Sequence, residues 1–385
     1  MTFRELLEKY KNQTATPEER KQVEAELEKY NALTEYLLEQ DVDMEGEDLA
    51  AQQEELQKID RSMKKRGRRI IAIAVVIACV VMGALTAFQP AISKVIWYDP
   101  AEQTMQEFAS DMDCHLTVFS ELTMPESGIL QTRVYPRGWG VYDLDVEQYD
   151  HLTGEQTWFG STVNRGKIRL DSNLYDYAVM NSFTRGTASF IEDVENQGGV
   201  IRTPEAMTAI LKDLPDFIQI EAYVSLGRDW TMKELTDFVQ TMEQTDGMLG
   251  WVGVRVSPEE EQRLPLMGFR WGGHGYVYNQ VNQQYPYYET GFYKDEPQNE
   301  VWEKHFLALL QYTADHADFY ERLDGDSGAH IGTKAQSALD YVRENGVKTY
   351  GFLYYGTAAD FQKLLENEDV EGMYISDYRL DVPGL

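Results

Sequence analysis

Cysteine is almost missing from this chain: Cys79 and Cys114 are the two in 385 residues. Cys79 falls inside a long apolar run and Cys114 well beyond it, so no intramolecular disulfide is expected between them. The chain must therefore hold together through its own apolar cores. Histidine is scarce too, at positions 115, 151, 274, 305, 316 and 330. No pair stands at the spacing of a His-Glu-x-x-His metal site. His305 and His316, eleven apart, read as surface or core residues of one helix. Gly325-Asp326-Ser327-Gly328 has the letters of a serine-protease nucleophile loop, but it lies between helices without a histidine base. Asp324, Asp326 and Gly328 start like a calcium loop, yet the third carboxylate and the distal glutamate are missing. The stretch reads as a polar connector. Basic residues are outnumbered 35 to 65, a net charge of −30, which argues against binding nucleic acid or anionic lipid.

What the chain has is one long stretch without charge. Ile70 to Phe88 is wholly uncharged, and the charge-free segment extends to Ser93. As a helix it is roughly 36 Å long, enough for a hydrocarbon core of about 30 Å. Lys64, Lys65, Arg66, Arg68 and Arg69 stand before it, and Trp97 and Tyr98 after it, at headgroup depth. A buried core helix rarely runs so far without a polar face, and a signal peptide would not follow 63 acidic, helix-forming residues. One transmembrane helix over 70–93 is expected. Lys and Arg stay on the cytoplasmic side, so residues 1–69 are expected inside and 94–385 outside.

The inner segment reads as amphipathic helices. Phe3, Leu6, Leu7 and Tyr10 form one stripe. Thr16-Pro17-Glu18-Glu19 is a capping box with proline at the first helical position. Val23, Leu27 and Tyr30 follow, then Leu33, Tyr36, Leu37 and Leu38 in a third short segment. Forty residues make a marginal core, so part of these stripes awaits a partner. Residues 41–69 read as an acidic linker, with a helix from Leu49 to Ile59, and then the basic run.

Thr16 to Gln40 resembles the cytoplasmic domain of bacterial anti-sigma factors, which inhibit extracytoplasmic-function sigma factors. One branch of that family binds zinc through a His-x3-Cys-x2-Cys set. Laid on this chain, those positions fall at Glu26, Tyr30 and Leu33, so the resemblance implies no zinc and no other cofactor. The basic run, the membrane helix and Trp97-Tyr98-Asp99-Pro100 resemble the sigma-factor-regulator family of Gram-positive bacteria, as does Ala335 to Leu380. The resemblance implies a protein that sequesters an extracytoplasmic-function sigma factor at the membrane, releases it on an envelope signal, and so represses transcription. Apolar Leu6, Leu7, Tyr10, Val23, Leu27, Tyr30, Leu33 and Leu37 would supply the contact area. An acidic inner segment suits a basic partner. A membrane co-regulator and an envelope ligand would complete the partners, with no direct nucleic-acid contact.

Beyond the membrane, 94–200 reads as a β-rich region opening with a helix from Ala101 to Asp111. Strands are expected at 129–135, 140–146, 156–162, 167–170 and 177–190. Residues 201–385 read as an α/β domain with an internal repeat. Helix 203–212, strand 217–226, helix 231–242 and strand 251–256 precede an insert with an aromatic loop, 276–292, and a helix, 299–323. The same order returns as helix 333–345, strand 348–355, helix 357–366 and strand 373–378. The expected fold class is thus multi-domain: a small all-α domain over 1–40, one membrane helix, and an α/β (α+β) outer part with a duplicated α-β-α-β unit. The aromatic loop suggests the competing function, an envelope enzyme or a glycan- or peptide-binding protein tethered by the helix. No acid/base pair, nucleophile or metal set supports the enzyme.

Overall fold

Helix caps set the amino-terminal elements. In the computed structural model, which describes residues 3–12, 14–40, 46–171, 183–184, 201–215, 217–242, 246–258, 266–272, 279–323 and 331–380, the chain forms two units, Met1–Ala87 and Phe88–Leu385. In the first, α1 (Phe3–Lys11) and α2 (Pro17–Gln40) pack together as a hairpin. The Thr16 amide donates to Glu19 Oε2 at 2.8 Å and the Glu19 amide donates to Thr16 Oγ1 at 3.3 Å, closing the expected capping box. The separate segment expected at 33–38 does not exist: α2 runs unbroken through it. Thr34 stays helical by donating from Oγ1 to the Tyr30 carbonyl at 2.8 Å. From Gly46 one helix, α3 (Gly46–Ile96), continues through the basic and apolar runs. Residues 46–69 are therefore helical throughout, beyond the Leu49–Ile59 helix expected within the linker. Its part from Met63 to Ile96 holds a stretch long and apolar enough to cross a membrane.

The second unit begins with Phe88 and builds two antiparallel sheets. The helix expected at 101–111 is instead a run of turns, and α4 (Asp111–Thr123) starts where that helix should have ended. Ser110 caps it, and the Asp111 carboxylate draws in the amides of Thr104 and Met105 at 2.8 and 3.0 Å. Four strands follow as a meander: β1 (Ser127–Gly138), β2 (Val141–Asp150), β3 (Gln156–Asn164) and β4 (Lys167–Arg169). α4 packs along β1 and occupies part of its open edge. Asp113 accepts from the Thr132 amide at 2.7 Å and Ser120 from the Ile129 amide at 3.1 Å. Edge groups are so satisfied by side chains. The strand expected at 177–190 lies outside the described residues, apart from Phe183 and Thr184.

The larger sheet explains why the α-β-α-β order returns. After α5 (Pro204–Leu211) come β5 (Ile218–Thr231), α6 (Met232–Met242), β6 (Met248–Val254) and the short β7 (Gly268–Arg270). An insert follows: α7 (Asn279–Gln284), α8 (Gln298–Asp315) and α9 (Ala317–Tyr320). Then α10 (Ile331–Asn345), β8 (Lys348–Gly356), α11 (Ala358–Leu364) and β9 (Val370–Leu380) complete the unit. The strand order is β7-β6-β8-β5-β9, every pairing antiparallel. Each β-α-β run leaves a gap that a strand of the other run fills, the split β-α-β arrangement. The helix expected at 299–323 is broken at His316, where φ −109° and ψ 27° depart from helix and Nδ1 bonds the Tyr312 carbonyl. Alternation sorts the sheet into two faces. Val224, Val252 and Phe352 join the helix-covered core with Leu235, Phe238 and Phe361. Tyr223, Trp251, Leu353 and Tyr355 face the other way, under Leu152 and Phe183.

Candidate functional site

The hairpin divides the eight candidate contact residues sharply. Leu6 and Val23 are buried, with Ala15 between them in the turn. Tyr10 is half-buried, its hydroxyl donating to Glu24 at 3.3 Å. Lys9 pairs with Glu19 at 3.0 Å, and Arg20 Nε donates to the Ala15 carbonyl at 3.2 Å. The Thr16 amide, then Lys9, hold the Glu19 carboxyl below its ordinary range. These bonds close the turn. They leave little for the rest of α2. α1 is only nine residues, about 13 Å of helix, against about 36 Å for α2.

From Glu24 to Leu37 every residue of α2 is exposed. Leu27 is 41 % exposed, Tyr30 70 %, Leu33 56 % and Leu37 55 %. Their spacings of three, three and four keep them on one side of the helix. Leu7, also a candidate, is exposed on α1. The fold thus buries Leu6 and Val23 in the hairpin, half-buries Tyr10, and leaves Leu27, Tyr30, Leu33 and Leu37 outside as a stripe. Contiguous exposed apolar surface of this kind marks an interaction site. Phe3 and Tyr36 are equally exposed and were not among the candidates. Tyr36, at the border of the stripe, was visible as a neighbour of Leu33 and Leu37 in the sequence.

The positions aligned with zinc ligands lie on this exposed part of α2. Glu26 is engaged by Lys29 at 2.8 Å, while Tyr30 and Leu33 offer no metal donor of their own beyond a phenol. Among the described residues, no group of three His, Cys, Asp or Glu side chains could hold a metal ion.

The second unit gathers reactive side chains, all of them deep inside. Tyr312 on α8 donates its hydroxyl within 3.1 Å of Cys114 Sγ and lies 2.8 Å from His115 Nδ1. Burial pushes the thiol far up, beyond any thiolate at neutral pH, and pushes His115 down to about 3. An inert thiol beside a neutral, buried imidazole is packing and not a nucleophile with its base. His305 on α8 is fully buried and bonds Glu121 through Nε2 at 2.9 Å and the Tyr287 carbonyl through Nδ1 at 2.9 Å. Burial lowers its affinity for a proton, and the Glu121 carboxylate overrides that, so it is raised. Of the aromatic loop, residues 273–278 lie outside the described residues, as does 324–330 with its Gly-Asp-Ser-Gly. Tyr285 and Tyr288 fold onto the core. Tyr287 stacks on Tyr293 with ring centroids 3.9 Å apart.

Comparison with known families bears on the carboxy-terminal part of this second unit. Residues 211–377, from the end of α5 into β9, match the family described as sigma factor regulator C-terminal. That stretch belongs to the sigma-factor-regulator family. No curated protein and no solved structure matches the chain. The family carries a sigma-factor regulatory role, implies a sigma factor as partner, and is not an enzyme class. The helix at Met63–Ile96, long and apolar enough to cross a membrane, precedes that stretch, and the two together support a membrane-anchored regulator of sigma factors.

Proposed function

We propose that the regulator sequesters an extracytoplasmic-function sigma factor on the inner face of the membrane through the apolar stripe of α2, and releases it when the outer part receives an envelope signal. The observation that carries this reading is the exposed stripe of Leu27, Tyr30, Leu33 and Leu37 on a helix otherwise acidic. Burying a side chain of that size stabilises a complex by roughly 1.5–3 kcal/mol before ordering costs. Sigma factors present basic faces to DNA, so the acidic helix adds attraction during encounter more than final affinity. Leu6 and Val23 act indirectly, by holding α1 against α2. Glu26, Tyr30 and Leu33 stand where zinc-binding anti-sigma domains carry their ligands, so no cofactor takes part. In this reading the chain is Gram-positive in type, its domains are 1–40, 41–69, 70–93, 94–200 and 201–385, and the two α-β-α-β runs are copies of one unit. A membrane co-regulator or an envelope ligand acts on the outer part.

Orientation follows from the five basic residues at 64–69. An alkaline-phosphatase reporter fused after Tyr98 will be active, and one fused after Arg61 will be silent. The opposite pattern would place α2 on the wrong side of the membrane for any sigma factor.

A further inference from the structure

The whole chain is strongly acidic, yet the part of the second unit packed around its first residues, Gln89 to Trp97, carries Lys94, Arg137, Arg165 and Lys167. The apolar run closes at Phe88, and Gln89 follows it directly in the chain. Two turns of the meander converge on the segment from Gln89 to Trp97. The β1–β2 turn does so at Gly138, Trp139 and Gly140, all with positive φ (100°, 54° and 73°). A methyl group at Gly138 would stand 3.2 Å from Gln89 Nε2, and one at Gly140 would stand 2.6 Å from the Trp97 ring. Only glycine lets the turn come this close. The β3–β4 turn is tied to the first: the Arg165 amide donates to the Gly140 carbonyl at 2.7 Å. The Arg165 guanidinium lies over the Trp97 ring, 5.8 Å from its centroid.

What these turns display is specific in composition. Trp139 is 42 % exposed at the tip of the first. Arg137, Arg165 and Lys167 are exposed around it, and Lys94 is exposed on the helix end itself. Arg137 also pairs with Asp143, and Lys94 with Asp99 at 3.0 Å. Tryptophan is an amphipathic ring that settles between acyl chains and water, and arginine and lysine meet lipid phosphates. A group that touches Gln89 stands at the depth where the apolar run ends. The unit as a whole is acidic and is repelled by an anionic bilayer, while this end carries four basic side chains suited to one.

We propose that the β1–β2 and β3–β4 turns, through Trp139, Arg137, Arg165 and Lys167, rest in the headgroup layer of the bilayer that the helix crosses. The second unit is then held at the membrane by a surface as well as by its tether, with the meander standing on its turns. The β2–β3 turn, at Thr153 and Gly154, lies at the far end of the same hairpins and points the opposite way along the strands. It provides the internal control.

The full chain, with Cys79→Ala and the buried Cys114 left in place, is reconstituted in vesicles of phosphatidylcholine and phosphatidylglycerol. A fluorophore is attached at Trp139→Cys, at Lys167→Cys or at Thr153→Cys, and lipids carrying a headgroup nitroxide are added. Quenching at 139 and at 167 is expected to exceed that at 153 severalfold. Adding Arg137→Glu and Arg165→Glu should reduce quenching at 167 toward the value at 153. Equal quenching at the near and far positions, or stronger quenching at 153, overturns the proposal. Lys167 is an exposed strand residue, so its variant keeps the test valid where Trp139→Cys disturbs the turn.

Discussion

The two units of this regulator treat their large apolar side chains in opposite ways. In the second unit Val224, Phe352, Phe361 and Leu235 are fully or almost fully buried against one another. In the first, α1 and α2 bury Leu6, Ala15 and Val23 and expose Leu27, Tyr30, Leu33, Tyr36 and Leu37. A sheet with helices on one face and turns on the other completes itself. A nine-residue helix against a 24-residue helix does not. The lesson is that composition alone misleads: both units are rich in leucine, and only packing shows which one is waiting for something else.

That contrast can be broken first in the second unit. Phe352→Ala removes a fully buried ring from β8 and is expected to cost about 3–5 kcal/mol. Hydrogen exchange of the β8 and β5 amides in the detergent-solubilised chain will report it. Leu6→Ala comes next, at about 2 kcal/mol or somewhat more, because it empties the small hairpin interior. Amides of α1 should then exchange freely while β8 is unaffected.

A third effect separates the units by pH. Burial, and next the Glu126 charge, push the Glu221 carboxyl up to about 8. It sits on β5, with Ser376 Oγ 2.6 Å from Oε1, and Tyr355, Glu126 and Asp150 face it. A carboxyl raised in the fold contributes its full stability below its ordinary range, near pH 4.5, and loses it as pH rises through 8. The second unit should therefore weaken between pH 5 and 9, and Glu221→Gln should flatten that slope. Denaturant titrations at several pH values measure it, with the hairpin as the reference that does not move. The smallest change is expected for Leu33→Ala with Leu37→Ala, within about 0.5 kcal/mol of wild type in hairpin stability, since both side chains face solvent.

Much of the architecture was legible in local signals. Thr16-Pro17 marked the start of α2, Thr231 and Thr357 marked those of α6 and α11, and alternation marked the strands of both sheets except the short β7. The membrane helix was legible because nothing else explains an uncharged run of that length. Failures came where local pattern imitated structure. A helix was expected at 101–111, but Met105 and Phe108 are buried there from a run of turns pinned by Asp111. His316 broke α8 without glycine or proline to announce it. Strand order was invisible, because the filling of one β-α-β run by a strand of the other depends on contacts more than a hundred residues apart. At the candidate site the stripe was legible as spacing. Which of its members face inward was not, since that depends on where α1 ends.

The central claim, that the exposed stripe of α2 holds a sigma factor, is tested most directly by co-purification. Full-length chains carrying Leu27→Ala with Leu33→Ala are compared with wild type and with Glu35→Lys for capture of the cognate sigma factor. A reporter of its promoter is read alongside, and hydrogen exchange of α1 and α2 confirms the fold. The account predicts that the double alanine chain loses capture and releases the promoter. Glu35→Lys changes one surface charge, worth about 0–1 kcal/mol, and should keep most of both. Undiminished capture by a folded double alanine chain would contradict the account.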